Sequence, residues 1–122
     1  MFEAVGGTVP KVPASGSAVL RAGGDWRPAG TPGFWVKPLV EDAEAGVRTW
    51  LMKTDPGASS ALHAHADEIE QIYVLEGEFS DAEATYGPGD FIVRAAGAPH
   101  LTTCANGSLS LVIYSADARR RG

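Results

Sequence analysis

The chain has one cysteine, Cys104, and three histidines in 122 residues. A single cysteine forms no intrachain disulfide and cannot build a thiolate-rich structural zinc site. It points to the reducing cytosol as the compartment. Basic residues are also few: 10 Lys and Arg stand against 15 Asp and Glu, a formal net charge of −5. Phosphate neutralisation needs the opposite balance, so nucleic acid is excluded as a partner. No apolar run approaches the roughly 18 residues of a membrane helix, which excludes a membrane partner. The opening Met1–Gly7 lacks the basic and long apolar regions of a secretory leader. Arg119-Arg120-Arg121, the longest charge run, reads as a solvated tail.

Glycine and proline are plentiful, 15 and 8 residues, with no fixed period. That excess fits short strands joined by tight turns. Helical periodicity is nearly absent. Only Val40–Gly46 has any helical character, and it is too short and too acidic to stand as a helix. Residues 1–32 lack periodicity and read as an arm, with one strand near Ala18–Arg21, lying along the surface or reaching a neighbouring subunit. The spacing predicts a β-domain over 33–115 and a tail over 116–122. Its strands are Gly33–Leu39, Gly46–Thr54, Leu62–His65, Glu70–Glu76, Glu78–Ser80, Asp90–Arg94, Leu101–Cys104 and Leu109–Tyr114. Asp55-Pro56-Gly57, Glu76-Gly77-Glu78, Gly87-Pro88-Gly89 and Asn106-Gly107 punctuate them, the last being the strongest short hairpin signal. Eight short strands at such intervals predict an all-β sandwich or barrel.

The three histidines are not scattered. His63 and His65 stand at i and i+2, so on a strand their imidazoles share a face. Glu70 follows after a stretch long enough to turn back, and His100 ends another candidate strand. Three imidazoles and a carboxylate suit a divalent transition metal. Glu68 is a rival carboxylate. Strand parity puts Arg48, Trp50 and Met52 on one face and Leu109, Leu111 and Ile113 on another. Tyr73 falls opposite Ile72 and Val74.

The stretch Gly57–Gly77, GASSALHAHADEIEQIYVLEG, resembles the first motif of the cupin superfamily, G-x5-H-x-H-x3-4-E-x6-G, at Gly57, His63, His65, Glu70 and Gly77. Gly89–Cys104, GDFIVRAAGAPHLTTC, resembles the second motif, G-x5-P-x-G-x2-H-x3-N, at Gly89, Gly97 and His100. Ala95 replaces the motif's Pro and Cys104 its Asn. The resemblance spans about Gly33 to Tyr114 and extends to ChrR-type cupin domains and to small dioxygenases that cleave diketones or hydroxyacetophenones.

The resemblance implies a double-stranded β-helix, the jelly-roll barrel of two antiparallel sheets, and a homodimer. It also implies one divalent transition metal on His63, His65, Glu70 and His100. Fe2+ is favoured, with Zn2+, Ni2+, Mn2+, Co2+ or Cu2+ as alternatives. The glutamate sets the chain apart from diketone-cleaving members that ligate iron through histidines alone. The implied function is a metal-dependent dioxygenase that cleaves a small diketone, hydroxyketone or related enolisable or aromatic substrate. A ChrR-like sensing module and a non-redox lyase, isomerase or cyclase are the alternatives. The pocket wall expected from parity is Arg48, Trp50, Met52, Ile72, Val74, Phe91, Leu109 and Leu111. Cys104 is read either as a thiol near the site or as a small buried hydrophobe.

Overall fold

A computed structural model describes residues 2–4, 9, 11–21 and 25–120. Among them are twelve strands. In chain order these are β1 (Phe2–Ala4), β2 (Ala18–Leu20), β3 (Arg27–Pro28), β4 (Phe34–Asp42), β5 (Val47–Thr54) and β6 (Ala58–Ser59). They continue as β7 (Glu68–Gly77), β8 (Phe79–Ser80), β9 (Thr85–Tyr86), β10 (Phe91–Arg94), β11 (Thr103–Cys104) and β12 (Ser108–Ala116). The one helical element among the described residues is a 3-10 turn at Ala118–Arg120, and no helix is long and apolar enough to cross a membrane.

Six strands form an antiparallel sheet in the order β10-β7-β12-β5-β4-β3, and four form a second in the order β6-β11-β8-β9. One core joins them. Phe34, Ile72, Val74, Val112 and Tyr114 come from the large sheet, and Ala58, Phe79 and Cys104 from the small one. The two sheets therefore pack face to face, as a jelly roll requires. A parallel pair, β1 with β2, stands apart from both. The arm's Trp26 receives Lys37 and Lys53 over its ring at 4.8 and 5.0 Å, so this segment lies on the outer face of its own large sheet.

The register across β5, β12 and β7 builds the interior in layers. Arg48, Tyr114 and Glu70 stand side by side; then Trp50, Val112 and Ile72; then Met52, Ser110 and Val74. Leu75 is the extra residue of a bulge, since Ser110 faces Val74 while Leu109 faces Glu76.

Three expectations are corrected here. Leu109, Leu111 and Ile113 do share a face, but it is the outer one, where Leu111 meets Leu51 and Tyr73. The buried face of β12 carries Ser110, Val112 and Tyr114. Alternation gives the period of a strand and not its phase, and here the inner phase is the more polar because it lines a site. Leu62–His65 forms no strand, only one bridge between His63 and His100. Asn106-Gly107 does not close a hairpin, because β11 and β12 belong to different sheets. Gly107 has φ +79° and its carbonyl accepts from Glu78 N–H at 3.0 Å, so this turn carries the chain across the barrel. Gly77 sits beneath it at φ +70°, where a Cβ would run into that same Gly107 carbonyl.

Candidate metal centre

The two motifs meet through their backbones. His63 N–H donates to His100 O at 2.9 Å, and His100 N–H returns the bond to His63 O at 2.8 Å. Gly97 N–H donates to His65 O at 2.7 Å from a positive φ of 80°. These bonds hold the rings of His63 and His100 with centres 4.2 Å apart, and those of His65 and His100 5.7 Å apart.

One ligand nitrogen from each of His63, His65 and His100 lies within 4.8 Å of the others. Ligands about 2.1 Å from one ion sit roughly 3 Å apart when adjacent and 4.2 Å when opposite, so a small inward shift of the rings brings the three nitrogens into one coordination shell. Nδ1 of His63 bonds the carbonyl of Ala61 at 2.9 Å, and Nδ1 of His100 that of Ala98 at 3.1 Å. A carbonyl only accepts, so both Nδ1 atoms carry the proton and both Nε2 lone pairs are free. His65 Nε2 is buried without a hydrogen-bond partner. Burial pushes the pKa of His65 and of His100 down, against the opposing pull of Glu70, and so favours the neutral ligating form. The donor set fits a divalent transition metal.

Glu70 is buried on β7 beside them. Its Oε2 lies 3.5 Å from His65 Nε2 and its Oε1 3.7 Å from His100 Nε2. Arg94 Nε donates to Oε1 at 3.1 Å, from the position paired with Glu70 on β10. Tyr114 stands opposite Glu70 on the neighbouring strand, and burial with that negative charge raises its pKa, keeping it a phenol. Arg94 is itself held by Asp81, Nη1 to Oδ2 at 3.0 Å, and Tyr86 donates to the same oxygen at 2.8 Å. Arg94, Asp81 and Tyr114 were not among the expected site residues. Arg94 stands at the end of its strand, where its parity alone suggests only surface charge.

A cavity of about 370 Å³ opens beside the histidines. Trp50, Met52 and Ile72 are among its lining residues. The other expected wall residues lie elsewhere. Val74 is fully buried in the core behind the lining, and Phe91 is 51% exposed on the outer face beside Tyr73. Leu109 and Leu111 lie outside with β12's outer phase. Arg48 stays at the rim, paired with Glu68 at 2.8 Å and stacked 4.3 and 4.1 Å from the rings of Trp50 and Tyr114. That occupies Glu68. Cys104 is buried in the core, and burial pushes its thiol pKa up, with the neighbouring Thr54 and Ser108 hydroxyls pulling the other way. Such a thiol is packing material and a poor nucleophile. Parity missed Phe34, Phe79, Ser110 and Tyr114 as lining residues.

Asp81 makes a pH prediction. Burial works to raise its pKa, but backbone N–H groups of Ala84 and Glu83, Tyr86 and Arg94 outweigh it and bring it to about 2. A carboxylate depressed on folding stabilises above its unfolded pKa, near 3.9, and that stability is lost as pH falls toward 2. Asp81→Asn is expected to remove about 2 kcal/mol of pH-dependent stability across this window. Urea unfolding of both proteins from pH 5 to pH 2 tests it; parallel stability curves would contradict the assignment.

With this geometry in place, residues 17–116 match the family described as the ChrR Cupin-like domain. The chain belongs to that family. Among solved structures, this ChrR-like cupin is similar to KdgF from Halomonas sp. at 23% identity and a TM-score of 0.72, covering 84% of this chain and 96% of that one. An RmlC-like cupin from Shewanella frigidimarina is similar at 21% identity and a TM-score of 0.67, over 77% and 85% of the two chains. The complex of Rhodobacter sphaeroides SigE with the anti-sigma ChrR is similar at 22% identity and a TM-score of 0.62, over 80% of this chain and 51% of that one. Identities at this level establish the fold. No curated protein matches the chain in sequence.

Proposed function

We propose that this cupin holds one divalent transition metal, iron(II) foremost, on His63, His65, His100 and Glu70, and uses it to oxygenate a small, neutral, enolisable substrate. One observation carries the reading: three imidazoles with free or unpartnered Nε2 atoms converge at the end of a cavity. When bound, the metal supplies Lewis acidity and, as iron(II), access to dioxygen. The chain's own residues do the rest. Arg94 balances the charge of Glu70 and fixes its direction. Tyr114, kept protonated, stands beside the same carboxylate. Phe34, Trp50, Ile72 and Phe79 give the cavity its apolar wall. Among the described lining residues none is Lys or Arg, so a permanently anionic substrate would find no cationic partner beyond the metal.

A sensing module without catalysis is the second reading, favoured by the family match and by the likeness to the ChrR complex. A homodimer accords with the exposed Tyr73, Leu75, Phe91 and Val93 on the outer face.

The test is elemental analysis of untagged protein, followed by oxygen uptake on iron- and zinc-loaded samples with simple β-diketones. The oxygenase reading expects about one metal per chain and uptake with iron alone. Turnover with zinc and no uptake would mean Lewis-acid chemistry. Metal binding with a stability shift and no turnover would mean a sensor.

A further inference from the structure

We infer that Ser110 marks a second polar subsite in the cavity, two strand layers from the metal end. The ligand is then a neutral molecule with two polar ends: a metal-chelating head, a short apolar middle, and a hydroxyl or carbonyl tail. The inference rests on the metal reading above for its first half and on three independent observations for its second.

Ser110 lines the cavity, is 4% exposed, and its hydroxyl has no hydrogen-bond partner. A buried hydroxyl left unpaired costs folding free energy. Its cross-strand neighbours, Met52 and Val74, offer no side-chain oxygen or nitrogen. The hydroxyls of the next layer differ. Thr54 and Ser108 bond each other at 2.6 Å and both reach the Cys104 thiol. Ser110 alone among these hydroxyls is left for a ligand.

The order of layers sets the ligand's shape. Tyr114 and Glu70 mark the metal end. Val112 with Trp50 and Ile72 forms an apolar belt next, and Ser110 follows. Tyr114 and Ser110 are four residues apart on β12, about 13 Å along the strand. With no Lys or Arg among the described lining residues, the tail is uncharged.

Hydroxamic acids test this on the zinc-loaded protein by titration calorimetry. Acetohydroxamic acid probes the head alone. Straight-chain hydroxamic acids of four to eight carbons, ending in methyl or in hydroxyl, probe the depth. At one chain length the hydroxyl-ended compound is expected to bind three- to tenfold tighter than its methyl-ended twin. In Ser110→Ala that preference is expected to vanish while acetohydroxamic acid binds as before. Ligand-free Ser110→Ala is expected to melt at or above the wild-type temperature, because nothing inside the fold uses the hydroxyl.

No preference at any length, or the same preference in both proteins, would overturn the subsite. So would a Tm lowered by several degrees in the variant, which would reveal an internal partner. Failure of wild type to bind acetohydroxamic acid would overturn the metal reading and the subsite with it. Normal head binding without a tail preference overturns the subsite alone.

Discussion

His100→Ala is expected to take the protein from about one bound metal per chain to essentially none. An outer partner of a metal ligand is already worth 10- to 100-fold in affinity, so removing one imidazole of three should cost well over 100-fold. The fold should survive, because the structural bonds at this position are made by the backbone: His100 N–H to His63 O and the reverse. Alanine keeps both. Metal content after dialysis and far-UV circular dichroism read the two effects separately. Folded protein that retains its metal would defeat the three-histidine site. Glu70→Ala is the companion measurement, and unchanged metal content there would remove the carboxylate from the ligand set.

Arg94→Met is expected to be the most destabilising single change at the centre, by about 3–5 kcal/mol. The arginine side chain is 10% exposed and joins two carboxylates that are more hidden still, Glu70 and Asp81. Methionine replaces its length and leaves both anions buried without their cation. The Tm should fall by roughly 10–20 °C. Neutralising the orphaned anions should return part of the loss, so Glu70→Gln with Asp81→Asn in the Arg94→Met background tests the cause. Urea unfolding of the metal-free forms supplies the comparison. A loss under about 1 kcal/mol would mean that solvent screens the pair as it does on a surface.

Much of this centre was legible in the sequence. The i, i+2 spacing of His63 and His65 and the glycines around them announced a site, because strand geometry and tight turns are local properties. Gly57, Gly77, Gly89 and Gly97 all take positive φ, which is a demand of one residue upon its own backbone. The inner face of β5 was legible for the same reason, and Trp50 and Met52 line the cavity.

The phase of β12 was not. Leu109, Leu111 and Ile113 look like a core face, yet they lie outside and Ser110, Val112 and Tyr114 lie within. Hydrophobicity chooses the inner face when the interior is dry packing, and it misleads when the interior is a polar cavity. Asn106-Gly107 misled in a related way. The dipeptide specifies a reversal of the chain, while the sheet that each flanking strand joins is decided by pairing with distant segments.

The sequence by itself determined the family, the all-β class and the candidate ligands His63, His65, Glu70 and His100, since each rests on spacing within short segments. Only the tertiary structure decided which charge faces Glu70, that Arg48 is spent on Glu68 at the rim, and that Ser110 is left unpaired in the cavity. Those are contacts across strands, between residues as far apart as Glu70 and Arg94 or Met52 and Ser110. They exist only once two sheets have closed on each other and removed the water that would otherwise have satisfied every one of these groups.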